Sequence, residues 1–286
     1  MKTGLLPLVE RAGRFALNQR GFESRTVSTR TALVHVYEAS GYGKLPTTAV
    51  LHGIGSGATS FAATLVRLRP HVRRVVAPDL PAHGFSGSPT VRLTSKALFD
   101  SVREVLDRSI AEPMVLVGNS LGGALAIEYA MASPERVCAL VLVSPAGARV
   151  DPAEWEALLR AFKIDSTAEA RRMLRRLYHR TPWYISALGK SFRDVMRRPG
   201  IREILENARL DDLPTPERLR RLSMPVLLLW GRSERVLPAS SLEYFRRCLP
   251  PHAVIEEPAG FGHCPHFDDP ARLAARVVDF ARRAGG

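Results

Sequence analysis

The stretch MVLVGNSLGGALAIEYA, residues 114–130, decides how the rest of the chain is read. Its opening residues form a continuous apolar run of strand length, as a strand buried on both faces of a sheet does. The run enters Gly118-Asn119-Ser120-Leu121-Gly122, and a helical pattern follows at once. This is G-x-S-x-G in a strand–turn–helix setting. A side chain on so sharp a turn takes strained dihedrals, and its neighbours must be small to avoid clashes. The turn lifts the hydroxyl beyond the strand's carboxyl end and aims the next helix's N-terminus at the reacting centre. Ser120 is therefore read as a nucleophile.

Comparable apolar runs lie on the C-terminal side, ALVLVS at 139–144 and PVLLLWG at 225–231. Strands are expected at 23–28, 33–38, 47–52, 74–78, 114–118, 139–144, 226–231 and 253–257. Helical patterns fall between them at 59–68, 95–109, 121–131, 240–248 and 271–283. Strands alternating with helices predict an α/β fold, a mostly parallel sheet of about eight strands covered by helices. The alternation stops at 149–222, where helical segments are punctuated by Pro152, Pro182, Pro199, Pro214 and Pro216. This stretch is read as a helical cap inserted between two halves of one core, 23–148 and 223–286.

Residues 1–22 form a further helical segment. Leu5, Leu8, Val9, Ala12, Phe15 and Ala16 recur at helical spacing beside Arg11, Arg14 and Arg20. Such a stripe either contacts a membrane surface or packs on its own domain, and the second reading is preferred. The segment makes a poor signal peptide, because Glu10, Arg11 and Arg14 interrupt it and no small-residue cleavage site follows. A cytoplasmic location is the expectation.

The 286 residues carry a formal net charge of +13, nearly all of it from arginine. The arginines are spread along the chain without a nucleic-acid-binding motif, so they are read as a solvated basic surface. Cys138, Cys248 and Cys264 are too few and too scattered for a disulfide framework or a metal site, and no cofactor is expected.

A serine hydroxyl needs a base within hydrogen-bond reach and an acid to orient that base. His263 lies in PAGFGHCPHFDDP, residues 258–270, after the last expected strand, with Gly260 and Gly262 freeing the loop. It is preferred to His266 for that setting.

These residues resemble the α/β-hydrolase superfamily from about Thr26 onward. The matching pieces are LHGIGSG (51–57), DLPAHGFSGSP (79–89), GNSLGG (118–123), LLLWGRSERVLP (227–238) and GFGHCPHFDDP (260–270). The resemblance implies Ser120 as nucleophile, His263 as general base, and an oxyanion hole from the backbone N–H groups of Ile54 and Leu121. It implies that Asp79 and His83 organise a neighbouring loop. Where the family usually presents an aspartate after its seventh core strand, this chain has Glu234, the implied acid. Ser144, at the family's alternative acid site, offers no carboxylate. Asp268 and Asp269 are read as N-terminal caps of the last helix.

A serine at this turn implies acyl transfer rather than the chemistry of aspartate-nucleophile relatives. A small-molecule carboxylic ester with an apolar acyl group is the expected substrate. Asn119, Trp155, Phe162, Trp183 and Tyr184 are the candidate substrate contacts. Gly118-Asn119-Ser120 is also similar to the elbow of meta-cleavage C–C hydrolases. Against that reading, the 51–57 loop lacks their usual proline, and Cys264 replaces the tryptophan that commonly follows their histidine. A catalytically inactive binding protein is the alternative from another class.

Overall fold

The computed structural model describes residues 4–284. Residues 1–3 of the expected N-terminal segment and 285–286 of the expected core lie outside them. The strands are β1 (Glu23–Ser28), β2 (Leu33–Ser40), β3 (Thr48–Leu51), β4 (Arg74–Pro78), β5 (Met114–Ser120), β6 (Val137–Pro145), β7 (Val226–Leu229) and β8 (Val254–Glu256). The helices begin with α1 (Leu5–Gln19), α2 (Ala62–Leu68), α3 (Ser95–Ser109) and α4 (Leu121–Ala132). Between β6 and β7 run α5 (Pro152–Phe162), α6 (Thr167–Leu177), α7 (Gly189–Met196), α8 (Pro199–Asn207) and α9 (Pro216–Arg220). The chain closes with α10 (Ala239–Cys248), α11 (Pro265–Asp268) and α12 (Pro270–Ala284).

One eight-stranded sheet has the order β1-β2-β4-β3-β5-β6-β7-β8. β1 and β2 are antiparallel additions at one edge, and the other strands run parallel. Successive residues of a strand face opposite sides, so an all-apolar strand needs cover on both. On β6, Leu140 and Leu142 pack in one cluster with residues of α3, α4, α9 and α10. Val141 and Val143 join the opposite cluster with Leu17 of α1, Leu65 of α2 and Val277 of α12. Each such side chain contributes about 1.5–3 kcal/mol when fully buried.

The expected strands and helices are all present, with boundaries moved by a few residues. β2 and β5 each extend two residues further, to Ser40 and Ser120, β6 begins two residues earlier at Val137 and ends at Pro145, and β7 ends two residues sooner at Leu229. The expected helix at 59–68 divides into a 3-10 turn, Ala58–Phe61, and α2. Residues 149–222 are helical as expected, and Phe162, Met173, Leu174, Ile185, Phe192 and Met196 give them a cluster of their own. No helix among the described residues is long and apolar enough to cross a membrane.

The connections decide where chemistry can sit. From β3 the chain moves outward through α2 to β4, then returns through α3 to β5 on the other side of β3. That reversal puts the carboxyl ends of β3 and β5 at a topological switch point, the place where open parallel sheets hold their ligands. Leu51 of β3 lies opposite Gly118 of β5, and α4 descends hard against the end of β3. A β-carbon at Gly122 would fall 2.3 Å from the carbonyl oxygen of Leu51, backbone that cannot move aside. Gly122→Ala should therefore lower stability by about 1–3 kcal/mol in urea unfolding, the usual cost of overpacking. A wild-type unfolding midpoint would contradict this account of the α4 approach.

Candidate active site

Ser120 ends β5 and precedes α4, with φ 53° and ψ −119°. Left-handed backbone costs a non-glycine residue about 1–3 kcal/mol and persists only where its surroundings over-determine it. Here β5 is buried throughout between β3 and β6, and the amide of Ala146 donates to the Ser120 carbonyl at 2.9 Å. The 52–57 loop lies alongside, since a β-carbon at Gly53 would sit 3.1 Å from the Ser120 β-carbon.

That loop is fixed by a neutral histidine. The Leu80 amide donates to His52 Nε2 at 2.9 Å, so the ring proton is on Nδ1, which donates to the Gly53 carbonyl at 2.8 Å. Burial lowers the His52 pKa and keeps this tautomer uncharged. Asp79 ties the 79–87 loop to the same region, accepting from the amides of Ala58 and Phe85 at 2.7 and 2.9 Å and from His35 at 3.1 Å. His83 is buried with Nδ1 donating to the Pro81 carbonyl at 2.9 Å. Burial and the nearby His52 push it down to about 3, so it stays neutral. Both Asp79 and His83 organise loops.

His263 and Glu234 meet across the sheet's carboxyl edge. His263 Nδ1 lies 2.8 Å from Glu234 Oε2, and both side chains are buried. The second carboxylate oxygen accepts the amides of Val236 and Leu237 at 2.7 and 3.1 Å. Burial alone would raise this carboxyl, but the imidazole's charge and hydrogen bond and the two amides together hold it below its ordinary range. With Nδ1 engaged, Nε2 is the ring nitrogen left for proton exchange. The glutamate's extra methylene is accommodated by the loop itself, which turns two amides onto the carboxylate.

His266 is placed differently. It stacks on Phe61 with ring centroids 3.8 Å apart, and its Nδ1 has no hydrogen-bond partner among the described residues. Burial depresses its pKa strongly, with the nearby His263 and His52 adding to the effect. The Cys264 thiol is pushed well above its ordinary value by burial and by the charges of Glu234 and Asp268, so it is a poor nucleophile.

Several expected substrate contacts have other places. Asn119 donates its amide to the Val143 carbonyl at 2.9 Å and the His263 carbonyl at 3.0 Å, so it holds the His263 loop beside Ser120. Trp155 packs against the main core and Phe162 is buried in the insertion's own cluster. Trp183 and Tyr184 point outward, 93% and 51% exposed, on the 3-10 turn Trp183–Leu188. The apolar side chains that do approach the 52–57 loop are Met196 and Phe192, since a β-carbon at Gly55 would lie 2.5 Å from Met196 Sδ and 3.4 Å from the Phe192 ring.

Asp268 also differs from expectation. Asp269 caps α12, accepting from the Arg272 amide at 2.9 Å. Asp268 instead accepts from the amides of Gly262 and His179, each at 2.8 Å, and so joins the His263 loop to the insertion. The Cys264 amide donates to the Leu177 carbonyl at 3.0 Å, and His179 Nδ1 lies 2.7 Å from Ser233 Oγ in the Glu234 loop. Two adjacent aspartates before a helix gave no sign of which one caps, and nothing in the sequence marked His179.

This chain belongs to the alpha/beta hydrolase family, whose sequence pattern matches residues 50–276. It is 29% identical over 268 residues to an uncharacterized protein of Mycobacterium tuberculosis, covering 83% of this chain and 76% of that one. It is likewise 29% identical over 250 residues to a 2-hydroxymuconate semialdehyde hydrolase of a Pseudomonas species, covering 82% and 86%. A solved bacterial membrane phospholipase A shares the fold with a TM-score of 0.84 at 24% identity, covering 98% of this chain and 93% of that one.

The depressed Glu234 pKa has a sign. Its stabilising contribution is present above the ordinary value of 4.5 and is lost as pH falls through the lower folded value. Glu234→Gln keeps an acceptor for the Val236 and Leu237 amides but does not titrate. In urea unfolding the stability gap between wild type and variant should shrink as the medium is acidified below 4.5. A gap that stays constant with pH would contradict the assignment.

Proposed function

We propose that this chain is a serine hydrolase that cleaves carboxylic esters through an acyl-enzyme on Ser120. The observation that carries the proposal is the buried His263–Glu234 pair at 2.8 Å, held beside Ser120 by the Asn119 amide. His263 Nε2 takes the Ser120 proton as Oγ attacks the ester carbonyl, and Glu234 stabilises the resulting imidazolium. The backbone N–H groups of Ile54 and Leu121 receive the oxyanion, an interaction worth about 2.7–4 kcal/mol of barrier per donor. The intermediate collapses, the alcohol leaves with the proton from His263, and water repeats the sequence in reverse roles to free the acid.

The neutral His52 supports the oxyanion assignment, because it fixes the Gly53 carbonyl and hence the direction of the next amide. Ile54, Phe192 and Met196 form the apolar wall closest to that amide, which favours an apolar acyl group. Residues 149–222 act as a cap over the core formed by 23–148 and 223–286. Ser120 and His263 are buried, so the cap opens to admit substrate.

A second reading, C–C hydrolysis of a ring-fission dienoate, is favoured by the 29% identity to a 2-hydroxymuconate semialdehyde hydrolase. The same nucleophile, base and oxyanion hole serve it. A binding-only role leaves the strained serine and its buried acid–base neighbours without a purpose.

A panel of p-nitrophenyl esters of graded acyl length, run beside a meta-cleavage dienoate, separates these readings. The ester reading predicts turnover that falls by roughly 10^6 in Ser120→Ala and by about 10^4 in Glu234→Gln. Efficient dienoate cleavage with negligible ester turnover would replace it with the C–C reading. No turnover of either class would overturn both.

A further inference from the structure

An amphipathic helix on a protein surface normally turns its apolar stripe inward. α1 does the reverse. It rests on the domain through Leu6, Gly13 and the fully buried Leu17, while Leu5, Leu8, Val9, Ala12, Phe15 and Ala16 all face solvent. Leu8 is 58% and Phe15 64% exposed, so this stripe is available rather than merely grazed by solvent.

A second pair of exposed apolar side chains lies on a turn beside the helix. α1 packs against α7 and the Trp183–Leu188 turn, and the Leu5 amide donates to Ser191 Oγ of α7 at 2.9 Å. On that turn Trp183 and Tyr184 stand exposed with their rings edge to face, centroids 5.8 Å apart. Cations surround both parts. Arg11 is exposed on α1 and Arg20 just after it, and Arg171 and Arg175 reach the turn at Ser186. Among the acidic side chains nearby, Glu10 is half-buried on α1, Glu169 closes the N-terminus of α6, and Asp194 pairs with Lys190 and Arg193.

We propose that α1 and the Trp183–Leu188 turn together form a docking face for an anionic lipid surface. Aliphatic side chains and Phe15 enter the boundary of the acyl region, and Trp183 and Tyr184 sit at headgroup level, where amphipathic rings are favoured. The arginines pair with lipid phosphates, and the chain's net charge of +13 adds long-range attraction. A second copy of the chain is a poor occupant, because the same arginines would meet one another across a two-fold contact. The face includes part of the insertion, so docking and the proposed opening of the cap involve the same element.

The test is co-sedimentation of the full chain with vesicles of phosphatidylcholine alone and of phosphatidylcholine containing phosphatidylglycerol. Wild type should sediment with the anionic vesicles, sediment poorly with the neutral ones, and be released by added salt. Leu8→Glu combined with Phe15→Glu should weaken binding on the order of tenfold or more, the equivalent of losing one buried apolar side chain. Both positions are exposed, so thermal unfolding should be unchanged, and Trp183→Ala should weaken binding independently. Three results would overturn the proposal: no vesicle binding by wild type, equal binding by the double variant, or conversion of a wild-type dimer to a monomer by the double variant without an effect on vesicles. None of these readouts depends on turnover, so failure here leaves the ester reading standing, and failure of that reading leaves this one.

Discussion

Ser120 is held in left-handed backbone at the join of β5 and α4, and much of the molecule exists to sustain that one conformation. The strain is of the order of 1–3 kcal/mol, small beside the burial of a single sheet but large for one residue. It survives because β5 is pinned on both sides and α4 cannot retreat. The same closeness of α4 to β3 that excludes a side chain at Gly122 also brings the 52–57 loop against the serine.

Glu234 and His263 are held differently, by loops tied to one another and to residues 177–179. The Ser233 amide donates to the Phe261 carbonyl at 2.9 Å, joining the Glu234 and His263 loops directly. Residues 177–179 then grip both, through the Leu177 carbonyl, the His179 amide and the His179 ring. Arg235 adds a guanidinium contact to the Tyr178 carbonyl, and Arg176 returns one to the Arg235 carbonyl. Residues 177–179 are therefore part of the support for His263 and Glu234.

The core strands were legible because burial on both faces leaves no alternation to misread: ALVLVS and PVLLLWG admit little else. The turn at Ser120 was legible because glycines at 118 and 122 bracket it. Pairing of Glu234 with His263 could be anticipated only through the family resemblance, since no spacing relates a loop after β7 to one after β8. The aromatic residues of the insertion were not separable by sequence, because helix rotation alone decides whether Trp183 faces a pocket or water. The periodicity of α1 announced a stripe but could not say which way it faces; Gly13 and Leu17 on the other side set that direction. Asn119 was read toward the substrate, whereas its amide meets two carbonyls that only tertiary packing brings together.

The most direct test of the central claim, that Ser120 is an activated nucleophile, is covalent labelling with a fluorophosphonate followed by peptide mapping. The account predicts a single adduct on the peptide containing Gly118-Asn119-Ser120-Leu121-Gly122, abolished in Ser120→Ala and slowed in Glu234→Gln. An unlabelled wild-type protein, or an adduct on another residue, would contradict it.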